Sequence, residues 1–254
     1  MRIIVNADDL GQDNMGNEYA FRLMSQGKVT SATLMANGPA LEGAVEKIKY
    51  FPKISFGIHL NATEFKPLTT NKDLGVLLDV NGAFSGIERF SSVKKDLILL
   101  KAIYKEWCAQ IEKLLSLGVK ISHIDSHHHI HVTGSMFPII KMVQMKYHIR
   151  KIRISKNIYI PASRSKTKIF LKGIYNFALG NIYKSQTARG FAGLDTFYKV
   201  FSKDGLNGKK FESVEVMVHP GRVDMNYGEE NRILEIDWQK EIPFEITFIS
   251  YNDL

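Results

Sequence analysis

The stretch ISHIDSHHHIHV, Ile121–Val132, carries five of the chain's eight histidines, His123, His127, His128, His129 and His131, together with one acid, Asp125. A histidine tag would be an unbroken run, whereas this cluster is internal and interrupted by Ile, Asp and Ser. VKISHID, Val119–Asp125, has the apolar alternation of a β-strand, which sets His123, Asp125 and His127 on one face. The imidazoles therefore arrive at the C-terminal end of a strand, where parallel α/β folds build their sites. Two readings follow. One is a divalent-ion site whose remaining imidazoles and acid orient the ligands. The other is a polar core network in which every ring nitrogen finds a partner. Chain direction allows one or two of the five as ligands of a single ion.

Outward from this stretch, strand-like runs alternate with helical patterns. RIIVN, TSATLMANG, ISFGIHLN, KIRIS, SVEVMVH and FEITFISY read as further strands. Helices are expected over MGNEYAFRLMSQG, closed by Gly27, and over ALEGAVEKIKY, MFPIIKMVQMKY and EENRILEIDWQKE. A long amphipathic helix is expected over SVKKDLILLKAIYKEWCAQIEKLLSLG, ending at Gly118. Asn81-Gly82 reads as the turn of a small hairpin. No repeat or linker divides the chain, so residues 1–254 are expected to form one domain. Strand–helix alternation over this length means a parallel sheet, open or closed into a barrel.

Polar residues gather at one end of several strands. Asn6, Asp8 and Asp9 follow the first, His59 and Asn61 end ISFGIHLN, Asp125 and His127 end VKISHID, and His219 ends SVEVMVH. Parity separates the faces: Ile54, Phe56, Ile58 and Leu60 on one side, Ser55, Gly57, His59 and Asn61 on the other. Apolar faces would meet outer helices, and small or polar faces a barrel interior or mouth. In NADDLG the adjacent carboxylates point in different directions, so one can bind a metal while the other reaches a substrate; a turn or helix cap is the plainer role. His59 is a ligand or a hydrogen-bonded structural residue. In VMVHPG, Pro220 extends the preceding residue and Gly221 permits a sharp exit, which holds His219 at a strand mouth or as a cap.

Composition narrows the class. The chain is 44% hydrophobic and 24% charged, in the ordinary range of globular domains. No apolar run approaches the roughly 18–20 residues of a membrane span. MRIIVNADDLG enters a strand directly, without the pattern of a signal peptide, so a cytoplasmic protein is expected. The single cysteine, Cys108, falls in a helical pattern and reads as a core thiol. A phosphate loop, a dinucleotide glycine fingerprint, a Cys pair and a nucleophile elbow are all absent from the sequence.

VNADDLG, SATLMANG, GIHLN, HIDSHHHIH and HPG, in this order and spacing, resemble the YdjC family of carbohydrate deacetylases, also called the ChbG/HpnK family; RGFAGL around Phe191 and SYNDL are similar to it as well. The resemblance implies an α/β fold, a single-domain distorted (β/α) TIM-like barrel with mostly parallel strands. It implies one divalent cation held by Asp9, His59 and His127, with Asp8 as general base and His219 as catalytic acid. Asn6, Asn61, Asp125, His129, His131, Arg189 and Phe191 would support the ligands or touch the substrate. The implied activity is hydrolysis of the acetamide of an N-acetylated sugar, such as an N-acetylglucosamine unit. Imidazole ligation favours zinc, cobalt or nickel on softness, while the family is described with magnesium, so Mg2+ or Zn2+ is expected. The competing functions are a metal-dependent phosphoesterase on a similar barrel and a carbohydrate-binding protein without turnover. Residues 70–110 and 155–185 match the family only loosely, and substrate choice is expected to lie there.

Charge is unevenly spread. From Ser126 to Leu194 there is no Asp or Glu, yet this segment holds twelve Lys and Arg, whereas elsewhere 22 bases are outnumbered by 26 acids. The segment reads as a solvated face or as the meeting place of an anionic partner, such as a nucleotide- or lipid-diphosphate-linked N-acetylhexosamine. Nucleic acid fits less well, because no nucleic-acid motif accompanies the charge. Within it, Ser163–Lys184 spaces Ile169, Phe170, Ile174, Phe177 and Ile182 as on an amphipathic helix, for which a core-facing stripe is the plain expectation. A homodimer is left open.

Overall fold

A computed structural model describes residues 1–160, 166–206, 210–222 and 227–254, the side chain at 168 excepted. Seven strands, β1 (Arg2–Leu10), β2 (Ser31–Leu34), β3 (Ser55–Leu60), β4 (Ile124–Ser126), β5 (Gly190–Gly193), β6 (Ser213–Val218) and β7 (Thr247–Phe248), form one sheet. Its order is β4-β3-β2-β1-β6-β5, with β7 also on β1, and every strand pair is parallel. The helices are α1 (Asn14–Ser25), α2 (Leu41–Ile48), α3 (Gly86–Ser92), α4 (Leu97–Ser116), α5 (Phe137–Tyr147), α6 (Lys166–Asn181), α7 (Leu194–Phe201) and α8 (Gly228–Glu235).

Strands β1, β3 and β6 are buried on both faces, as a parallel sheet covered by helices requires. Ile3, Val5 and Ala7 of β1, Phe56, Ile58 and Leu60 of β3, and Val214, Val216 and Val218 of β6 join the apolar core under the helices. The alternate residues, Asn6 and Asp8, Ser55, Gly57 and His59, and Glu215 and Met217, take the opposite face and fill the barrel interior. There the His123 ring lies against β3 so closely that a Cβ on Gly57 would stand 2.5 Å from its Cε1, which leaves room only for glycine. The same ring stacks on Tyr251 with centroids 3.6 Å apart, and Tyr251 N donates to Ser55 Oγ. Tyr251 of SYNDL is thus an interior plug, and Ser250 and Asp253 form a capping box around it.

The sheet closes irregularly. KIRIS, expected as a strand, pairs only through single bridges, Ile152 to Ile124 and Lys151 to Gln186. Asn157 and Ile158 then donate their N–H groups to Phe191 O on β5. The neighbours on either side are three and four residues long, so the ladder has few rungs, and the barrel is distorted at this seam. The expected long helix starts only at Leu97, because the Asp96 side chain caps Leu99 N and opens α4 there, while α3 ends where the expected span begins; α4 ends before Gly118, at φ +80°. Asn81-Gly82 does turn a hairpin, with Leu78 and Phe84 in an antiparallel bridge. Trp238–Glu241, expected to continue the preceding helix, forms a separate 3-10 turn. Residues 163–165, where the amphipathic helix was expected to begin, and Lys168's side chain lie outside the described residues; the helix runs over Lys166–Asn181. Cys108 is buried in α4.

Candidate metal centre

The strand ends converge on a cavity of about 500 Å³, within the range of small-molecule sites. Asp8, Asp9, His59, His127, His129 and His219 line it. The Asp8–Asp9 pair owes its divergence to the backbone. Asp9 has φ +63°, and the β1–β2 register shifts between Ala7 and Leu10. This left-handed residue in a bulge re-aims one carboxylate while its neighbour keeps the strand direction. Asp8 points into the barrel and Asp9 into the mouth. After β4 the chain turns through His128 and His129, both left-handed at φ +52° and +54°, which wraps the imidazoles around the opening.

Asp9 Oδ1 lies 3.1 Å from His59 Nε2 and 2.8 Å from His127 Nδ1. Donor atoms about 2.0–2.2 Å from a shared divalent ion stand roughly 3–3.5 Å apart, so this spacing suits one ion. Each imidazole is backed by a carboxylate on its far nitrogen. His59 Nδ1 meets Asp125 Oδ1 at 2.6 Å. His127 Nε2, buried and without a hydrogen bond among the described residues, faces Glu64 Oε1 at 3.3 Å. Such backing fixes the ring orientation and raises ligand basicity. Burial disfavours the charged forms, yet Asp125 holds His59 up at about 10, and Asp9 raises His127. Asp9, for its part, lies well below the ordinary carboxylate range: burial opposes this, and the two imidazoles outweigh it. The two imidazoles thus compensate a buried anion, the role that an ion would take over. A buried carboxylate with two imidazoles is a donor set for one borderline divalent cation.

Arg153 was counted among the bases of the acid-free segment, but it is wholly buried and belongs to no basic face. Its guanidinium grips Asp8 through two bonds of 2.6 Å and meets Asp125 at 2.8 Å and Glu215 at 2.7 Å. Burial would raise Asp8's pKa; Arg153 reverses this and holds the carboxyl well below its ordinary value, so Asp8 is ionised. Lys141 is also buried, with its ammonium on Leu179 O and Ile182 O. The signal for Arg153 was parity: Lys151, Arg153 and Ser155 share a face of KIRIS as His123, Asp125 and His127 share one of their own strand.

The remaining expected residues divide. Asn6 donates to Asp8 Oδ1 and Thr33 Oγ1, and so braces the carboxylate from behind. Asn61 Oδ1 accepts from Thr63 N and Glu64 N, shaping the turn that presents Glu64. His131 is fully buried, bonded to Ser126 Oγ and Arg153 O; burial and the Arg153 charge push it down to about 3, a neutral structural ring. His129 lines the cavity, is held neutral by burial, and meets Phe191 edge-on at 5.5 Å. Phe191 itself is buried beneath the Arg153 guanidinium. Arg189 lies apart, on a separate cavity between α6 and residues 186–189. His219 packs on Tyr227, takes Glu230 Oε1 on its backbone N–H, and places Nδ1 3.6 Å from Glu230 Oε2. Burial works against its charged form, but Glu230 prevails and raises its pKa. Besides Arg153, sequence reading missed Glu64, Glu230 and Arg222, whose guanidinium holds Asp9 Oδ2 at 2.8 Å.

The fold and the site define a class: a barrel of parallel strands with one Asp–His–His cluster in its C-terminal mouth, beside an ionised aspartate and a partnered histidine. The chain belongs to the YdjC-like protein family, whose model matches residues 2–244. It is 31% identical over 244 residues to a carbohydrate deacetylase of Oceanobacillus iheyensis, a match covering 92% of this chain and 91% of that one. Another, from Geobacillus stearothermophilus, is 31% identical over 236 residues, 87% of this chain and 80% of its own. A Vibrio cholerae carbohydrate deacetylase is 39% identical over 149 residues, 59% of this chain and 57% of its own length. Among solved structures, a presumed cellobiose-phosphate cleavage protein from Enterococcus faecalis V583 superposes with a TM-score of 0.78 at 24% identity, over 99% of this chain and 98% of that one. That likeness bears out the distorted barrel.

Proposed function

We propose that this chain is a metal-dependent carbohydrate N-deacetylase that hydrolyses the acetamide of an N-acetylated sugar. The observation that carries the reading is the convergence of Asp9 with His59 Nε2 and His127 Nδ1 inside the cavity that also holds Asp8 and His219. The names of the full-length relatives support the substrate class. Asp9, His59 and His127 would hold the ion, Mg2+ or Zn2+. When bound, such an ion polarises a carbonyl and makes a water at its edge more acidic.

The chain's own groups supply the proton transfers. Asp8, kept ionised and aimed by Arg153 and Asn6, takes the proton of the attacking water. Its grip by Arg153 keeps it a weak base. His219, whose pKa Glu230 raises against the effect of burial, gives a proton to the sugar nitrogen as the C–N bond breaks and acetate departs. The test is acetate release from a panel of N-acetylated saccharides after chelation and after each metal is restored. Release that depends on metal and on an N-acetylated sugar is expected. Turnover that survives chelation, or no release from any of the saccharides, would overturn the reading.

A further inference from the structure

The apolar stripe of α6 was expected to pack inward, and it does not. The helix is fastened by the opposite face. Asn176 bonds both the N–H and the C=O of Ser155, Tyr175 donates to His131 O and meets Phe137 edge-on, and Leu179 is buried. At its end, Lys141 binds the carbonyls of Leu179 and Ile182. Phe170, Ile174 and Phe177, spaced at i, i+4 and i+7, fall on the far side and are 67%, 53% and 72% exposed. Ile169, Leu171 and Ile182 widen the exposed patch. This inverts the ordinary surface helix, whose apolar stripe faces the core. A contiguous patch of this kind marks a contact surface.

Charge decides what fits it. The helix lies in the segment without a single Asp or Glu, and Arg150, Lys166 and Lys184 around it are exposed. Two copies paired through this face would set acid-free segments against each other, with like charges opposed. A bilayer with anionic headgroups satisfies both halves of the surface: the aromatic and aliphatic side chains enter the acyl boundary while the lysines stay among the phosphates. Among the described residues no helix is long and apolar enough to cross a membrane, so the contact would be peripheral. The fastening points also place the helix beside the site. Ser155 precedes Lys156 in the cavity wall, and His131 belongs to the loop that carries His127.

We infer that the exposed face of α6 docks this protein on anionic membrane surfaces. The inference is independent of the activity, because its readout is binding. The experiment sediments the full chain with phosphatidylcholine vesicles, with and without phosphatidylglycerol, at low and high salt. Binding to the phosphatidylglycerol vesicles, weakened by salt, is expected. Phe170→Ser with Phe177→Ser should reduce partitioning by roughly tenfold or more. Lys166→Glu with Lys184→Glu should abolish the preference for phosphatidylglycerol. Neither pair should alter the far-UV dichroism. Three results would overturn the inference: a chain that stays in the supernatant with both vesicles, binding indifferent to both variant pairs, or a dimer that the Phe pair dissociates without any vesicle binding.

Discussion

At the scale of single residues, the two carboxylates of the Asp8–Asp9 pair sit side by side in sequence yet serve different partners, and substitution separates them. His59→Ala or His127→Ala is expected to leave the fold intact and the ion absent, read by elemental analysis of the purified variants; full occupancy in His127→Ala would sink its assignment as a ligand. Asp8→Asn should keep the ion and lose roughly 10²–10⁴-fold in kcat, the usual range for a general base, whereas Asp9→Asn should lose both. Glu230→Gln preserves the acceptor for His219 N–H and removes only the charge. The raised pKa of His219 extends its protonated form to higher pH, so removing the anion must lower that pKa. The alkaline limb of the kcat/KM profile should therefore move to lower pH, and an unmoved limb would show that Glu230 does not tune the acid.

At the scale of elements, the site depends on short turns that follow the strands. Asn61 folds the turn after β3 so that Glu64 stands behind His127. Glu64→Gln should weaken metal affinity by about 10–100-fold without changing the ligand set, the range expected for a lost outer partner; competition with a chelator measures it. Within β3, Gly57→Ala would drive a methyl into His123 and is expected to cost about 1–3 kcal/mol, seen as a lower urea midpoint. Strand and helix positions were largely legible, because apolar alternation and helical spacing are local. KIRIS was legible as extended chain but not as a seam, since the length of its neighbours sets the number of rungs. The stripe of α6 shows the limit of periodicity. Spacing identifies an amphipathic helix, and only the anchoring of Tyr175, Asn176 and Leu179 fixes which face is inward.

At the scale of the whole molecule, Arg153 binds three strands across the barrel interior: Asp8 on β1, Asp125 on β4 and Glu215 on β6. Arg153→Met would leave those carboxylates buried without their cation and should cost about 3–5 kcal/mol, read from urea or thermal unfolding. From the sequence alone came the parallel strands and the strand ends at which the motif residues gather, because these follow from residue order, parity and spacing along the chain. What only the tertiary structure decided was which atoms meet. The left-handed turn at Asp9 parts two adjacent acids, Glu64 and Arg222 arrive from distant loops to hold the cluster, Glu230 comes from α8 to hold His219, and a guanidinium counted as surface charge becomes the barrel's central cation. Those relations run between residues far apart in the chain, and a local pattern carries no record of the distance or dielectric between them.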